Sequence, residues 1–120
     1  MNKRPPDLIG KFKEIEVGMI GISSITVSEL QYGVSKSNFK KQNLTRLEEF
    51  LTPFAILPYD QMAAKHYGGI RSKLEKQGRI IGPLDMLIAA HAISRGLTLV
   101  TNNEKEFKRI QSLKVENWAK

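Results

Sequence analysis

A chain of 120 residues, 41% apolar and 26% charged, has the make-up of one compact domain, which excludes general disorder. Its longest nearly apolar stretch, residues 86–93, is broken by His91 and falls far short of the roughly 20 residues that cross a bilayer, and the opening Met1-Asn2-Lys3-Arg4-Pro5-Pro6 has no apolar run behind it to make a secretory signal. The lack of cysteine excludes disulfides and thiolate metal sites and points to the cytoplasm, while 19 Lys and Arg against 12 Asp and Glu leave a net charge of +7 that suits a polyanion, nucleic acid first, or serves solubility alone.

Pro5-Pro6-Asp7 reads as a helix entry, with Leu8, Phe12 and Ile15 at helical spacing and Gly18 as the stop. Met19-Ile20-Gly21-Ile22, bounded by Gly18 and Ser23-Ser24, suits a short buried strand. Thr26-x-x-Glu29 has the capping-box pattern and predicts a helix opening at Thr26, with Val27, Leu30 and Val34 on one face. Leu44, Leu47, Leu51 and Phe54 mark another amphipathic helix stopped near Pro53, and Ala55-Ile56-Leu57 before Pro58 makes a second strand. Asp60 caps a long helix whose apolar face is Ala63, Tyr67, Ile70 and Leu74 and whose end is Gly78.

Gly82-Pro83 opens the next helix and Gly96 closes it. Residues 84–93 are apolar on every side of that helix, which predicts burial all round. Leu97-Thr98-Leu99-Val100-Thr101 follows as a third strand, Asn102-Asn103 turns the chain into a short segment around Phe107, and a last strand includes Val115. Helices alternating with short apolar strands predict an α/β fold with a parallel sheet covered on both faces, and such sheets collect ligands at the carboxyl ends of their strands.

Asp85 is the one charge between Arg79 and Arg95. A carboxylate buried there must be paired, hydrogen-bonded or metal-bound, unless it is simply an acid favoured by the helix dipole. Glu29 follows the first strand closely enough to reach a shared sheet edge, or else it accepts the Thr26 N–H as the last member of a capping box. Asn102 and Asn103 follow the third strand where an α/β site takes ligands, and equally form an ordinary turn. Together Glu29, Asp85 and Asn103 offer oxygen ligands alone, which suits Mg²⁺ or Mn²⁺ and not zinc, and such an ion serves phosphodiester hydrolysis. His66 and His91 share no ligand spacing and read as helix-packing residues.

Four stretches carry a resemblance: Ile22-Ser23-Ser24-Ile25-Thr26-Val27-Ser28-Glu29-Leu30 with Tyr32-Gly33; Ile81-Gly82-Pro83-Leu84-Asp85-Met86-Leu87-Ile88-Ala89-Ala90-His91-Ala92; Leu99-Val100-Thr101-Asn102-Asn103 with Glu106-Phe107; and Val115-Glu116-Asn117-Trp118. They resemble the second, third and fourth conserved blocks and the closing strand of the VapC-like toxins of the PIN-domain superfamily. The resemblance implies a three-layer α/β/α PIN-like domain with a short parallel sheet, spanning residues 1–120 as a single domain. It implies a Mg²⁺-dependent endoribonuclease toxin that cleaves RNA, a transfer RNA in close relatives, forms a homodimer and is inhibited by a cognate antitoxin. Glu29 would be catalytic and Asp85 would bind the metal with it. Asn103 stands where many relatives have a fourth acid, which limits it to positioning water.

The family opens with a strand ending in Leu-Asp-Thr-Asn, whose Asp is a metal ligand, and nothing in residues 1–18 matches it. The expectation is therefore a chain truncated at its start, missing the family's first, central strand. A second reading is a catalytically impaired toxin that binds an antitoxin or a homologue. A third is a basic nucleic-acid-binding fragment without chemistry.

Overall fold

The computed structural model describes residues 21–101 and 103–117. The helix expected from Leu8 to Ile15, the start of the strand expected at Met19, Asn102, and Trp118 all lie outside the described residues. The chain divides into two compact units, with the boundary between Pro58 and Tyr59.

The first unit contains β1 (Gly21–Ser23), α1 (Ser24–Ser35), α2 (Lys40–Leu51) and β2 (Ala55–Leu57). The two strands pair in parallel, with Gly21 opposite Ala55, Ile22 opposite Ile56 and Ser23 opposite Leu57. Glycine at position 21 lets the Leu57 side chain lie across the strand, since a Cβ there would come within 2.6 Å of Leu57 Cδ1. No loop separates β1 from α1, so the hydroxyl at the strand's end does the capping: Ser23 Oγ accepts the Ile25 N–H at 3.1 Å. The expected start at Thr26 is thereby corrected. Thr26 lies in the first turn, and Glu29 has moved out of capping position into the second.

Between α1 and α2, Ser37 Oγ donates to the Val34 carbonyl at 2.7 Å and accepts from Asn43 Nδ2 at 3.0 Å. This chain of bonds gives an acceptor to the side-chain nitrogen of Asn43, the buried polar residue of α2. Leu47, 1% exposed, is the most deeply buried of the unit's described side chains. Phe50 and Phe54 meet edge to face at 5.2 Å.

The second unit contains α3 (Gln61–Gln77), α4 (Pro83–Ser94), β3 (Leu99–Val100), α5 (Glu104–Phe107) and β4 (Val115–Glu116). Asp60 Oδ1 accepts the Ala63 N–H at 3.0 Å and caps α3 as expected. Both long helices end on a glycine in the left-handed region, Gly78 at φ 66° and Gly96 at φ 65°. In each case the next residue's N–H reaches back to close the end, Arg79 to the Leu74 carbonyl and Leu97 to the Ala92 carbonyl, both at 2.9 Å.

Leu74 of α3, Met86 and Ala89 of α4, Phe107 of α5, and Ile81, Ile110 and Leu113 from the connecting segments form the core, with Tyr67 and Ile70 packed against it. The apolar face read from α3 is thus the buried one. The reading of α4 as buried on every side is corrected: Met86, Ala89, Ala90 and His91 are buried, whereas Leu84 is 47% exposed. A helix without a polar face offers no sequence signal for which side meets water.

β3 and β4 pair in parallel, Leu99 opposite Val115 and Val100 opposite Glu116, and β3 is shorter than the expected five residues. Among the described residues the strands therefore form two separate two-stranded parallel ladders. The expected α/β character and parallel pairing are both present.

Candidate active site

Glu29 belongs to the first unit and Asp85 and Asn103 to the second. Glu29 is exposed on the second turn of α1, beyond the carboxyl end of β1. With Ser23 as the cap, the bland capping-box role is gone, and the carboxylate is presented to solvent.

Asp85 is half-buried at the third position of α4, behind Gly82 as N-cap and Pro83 as the first residue. Its Oδ2 lies 3.9 Å from where a Gly82 Cβ would stand, so the carboxylate folds back over the helix start. Positive partial charge from unbonded N–H groups favours an anion at this end of the helix.

Asn103 is exposed, just past the carboxyl end of β3. Its backbone N–H donates to Thr101 Oγ1 at 3.0 Å, and its Nδ2 donates to Glu106 Oε2 at 2.8 Å. The turn expected at Asn102-Asn103 rests on Asn102, outside the described residues, and the Asn103 side-chain amide nitrogen is engaged by Glu106. Glu106 is the residue that site reasoning passed over. Asn103-x-x-Glu106 has capping-box spacing, but no side-chain cap bond forms and the two side chains bond each other instead.

His91 is buried and faces the Tyr59 ring edge to face at 5.5 Å. Arg95 Nε donates to His91 Nε2 at 3.3 Å. Packing, as read from the sequence, is its role. Burial pushes the Tyr59 hydroxyl above its ordinary value. Asp60, beside this group, is held below its usual range by the Ala63 N–H bond and next by the Arg95 charge.

Among the described residues, no three His, Cys, Asp or Glu side chains cluster as metal ligands. Nor is any described helix long and apolar enough to cross a membrane.

The helix-rich fold with short parallel ladders is that of a known class. The PIN domain family model matches residues 6–113, and the chain belongs to the PIN-domain family. Ribonuclease VapC2 of Haemophilus influenzae is 44% identical to it over 119 residues, 99% of this chain and 89% of that protein. The tRNA(fMet)-specific endonuclease VapC of Shigella flexneri is 44% identical over 117 residues, 98% of this chain and 89% of that one. The crystal structure of VapBC2 from Rickettsia felis, bound to a DNA fragment from their promoter, superposes with a TM-score of 0.92 at 47% identity, covering 98% of this chain and 89% of that one.

Proposed function

We propose that the chain is a divalent-metal-dependent endoribonuclease, the toxin of a toxin-antitoxin pair, acting on RNA in the cytoplasm. The observation that carries this is the 44% identity, over 99% of the chain, to a protein named as a ribonuclease. The Shigella flexneri relative, named for its action on tRNA(fMet), makes a transfer RNA the substrate to try first. A cognate antitoxin and a second copy of the chain are the proposed protein partners.

Asp85 and Glu29 are the proposed metal ligands, and with Asn103 the proposed catalytic residues. Their donor atoms are oxygens only, which fits Mg²⁺ or Mn²⁺. Mg²⁺ keeps several of its waters and needs only one or two carboxylates, so a site without a three-acid cluster is chemically adequate. When bound, the cation supplies charge neutralisation and water activation at the phosphodiester. Asp85, held at the amino end of α4, contributes a carboxylate in fixed orientation. Glu29 contributes the second. With its Nδ2 engaged by Glu106, Asn103 offers Oδ1 to orient water. Lysines and arginines bring the RNA backbone to the protein by charge.

The test is cleavage of purified transfer RNA with Mg²⁺ and with EDTA, by the native chain and by Asp85→Asn. EDTA should abolish cleavage. Loss of an electrostatic contribution of several kcal/mol should slow Asp85→Asn by about 100-fold or more, with the melting temperature nearly unchanged. Cleavage by Asp85→Asn at the native rate would overturn the assignment.

A further inference from the structure

Residues 30–47, which carry the chain from α1 across to α2, include Lys36, Lys40, Lys41 and Arg46 and no Asp or Glu. Two aromatic rings stand out of the same stretch, Tyr32 and Phe39, each 66% exposed. Rings of this size ordinarily stabilise a fold by leaving water. Lys36 Nζ lies 5.1 Å from the centroid of the Tyr32 ring, so an ammonium and an aromatic face are held side by side.

Folding does not explain these residues. Lys40 and Lys41 occupy the first turn of α2, where a positive charge opposes the helix dipole, and Phe39 is an N-cap with no side-chain bond to the helix, a place that favours Ser, Thr, Asn or Asp. The backbone beneath them is tied down all the same, because Asn43 Nδ2 donates to Ser37 Oγ and Ser37 Oγ to the Val34 carbonyl. Rings and cations are thus presented from a braced turn, which lowers the cost of ordering them on a ligand.

Their place on α1 gives them a use. Glu29, Tyr32 and Lys36 are spaced i, i+3 and i+7, which puts them on one face of the helix, and all three are exposed. From Glu29 to Lys36 this stripe rises about 10 Å at 1.5 Å per residue.

We propose that Tyr32 and Lys36 bind an unpaired nucleotide of the RNA substrate beside Glu29, the base stacking on the Tyr32 ring and the neighbouring phosphate meeting Lys36, with Phe39, Lys40 and Lys41 receiving the strand where it runs on. Single strands are held in this manner, by cations that track the backbone and aromatic rings that take successive bases. Bases inside a duplex already stack on one another and offer no free face, so the patch selects unpaired RNA. A protein segment fits less well, since its apolar anchors gain most from an enclosing pocket, whereas rings so exposed offer open faces. The proposal rests on the nuclease reading for the part played by Glu29, but binding itself does not require cleavage.

Binding of a fluorescein-labelled single-stranded RNA is measured by anisotropy in EDTA, where no metal supports cleavage. Tyr32→Ala should bind about tenfold more weakly and Tyr32→Phe like the native chain, while a duplex of the same length should bind Tyr32→Ala and the native chain alike. Lys36→Gln should flatten the slope of log affinity against log salt by about 0.7, the share of one phosphate contact on a single strand. Lys76→Gln, which removes the same charge from an exposed site on α3, should leave that slope unchanged. In Mg²⁺, Tyr32→Ala should raise KM for the single strand with kcat nearly unchanged. Equal binding by Tyr32→Ala and the native chain, or an equal loss of slope in Lys36→Gln and Lys76→Gln, would overturn the proposal. So would a Tyr32-dependent affinity for polyglutamate matching that for RNA, which would give the patch to an acidic protein segment. Lys36→Gln keeps the test decisive if Tyr32→Ala does not fold. RNA bound as expected in EDTA yet never cut in Mg²⁺ would sink the nuclease reading and support the patch.

Discussion

At the scale of single residues, Asp60 shows how one side chain links sequence, folding and pH. Its carboxylate caps α3 through the Ala63 N–H, and that bond, with Arg95 behind it, lowers its pKa from the ordinary 3.8. A lowered carboxylate stabilises the fold fully above its unfolded value and loses that contribution as pH falls through the folded one. Thermal melts should therefore show Asp60→Ala less stable than the native chain at pH 7, with the gap closing below about pH 4. Asp60→Asn, which keeps a capping oxygen, should lie between the two at neutral pH. Asp85 was legible in the sequence for a related reason, since one carboxylate among uncharged neighbours must have a cause. The pairing of Asn103 with Glu106 was not legible, because it depends on which way a side-chain amide turns.

At the scale of elements, the helices were legible wherever apolar spacing and caps agreed. Asp60, Gly78, Pro83 and Gly96 all stand where the sequence put them. The start of α1 was misread because two hydroxyl residues, Ser23 and Thr26, each fit a cap and only the end of β1 decides between them. Substitution separates the two readings: Ser23→Ala should destabilise the protein by roughly 0.5–2 kcal/mol in urea titrations, whereas Thr26→Ala removes no cap and should change stability much less. The strands were placed well, and Ala55–Leu57 has the expected bounds, but the third is shorter than expected. Two- and three-residue strands are too short for alternation to define their ends, and hydrogen bonding to a neighbour sets them instead.

At the scale of the whole molecule, composition gave the right class of chain, but the expected single domain has to be tested by cooperativity. Leu47 lies in the first compact unit and Met86 in the second, both nearly inaccessible to solvent. Replacing either by alanine should cost about 2–5 kcal/mol. For one domain, each variant should shift a single unfolding transition that far-UV circular dichroism and tryptophan fluorescence report together. Two transitions, each sensitive to one substitution only, would instead assign the units to separate domains. The net charge of +7 belongs to this scale too, and it should make RNA association weaken steeply with added salt.

The bond from Asn103 Nδ2 to Glu106 Oε2 bears on what exchange at this position would do. Many VapC-like toxins have an acid here, so Asn103→Asp looks like a simple return to family type. In this chain it would swap a donor for a second negative charge within 3 Å of the Glu106 carboxylate, turning an attraction into a repulsion. A cation between the two acids would relieve it, so the variant's fold should become more stable on addition of Mg²⁺ by a margin the native chain does not show.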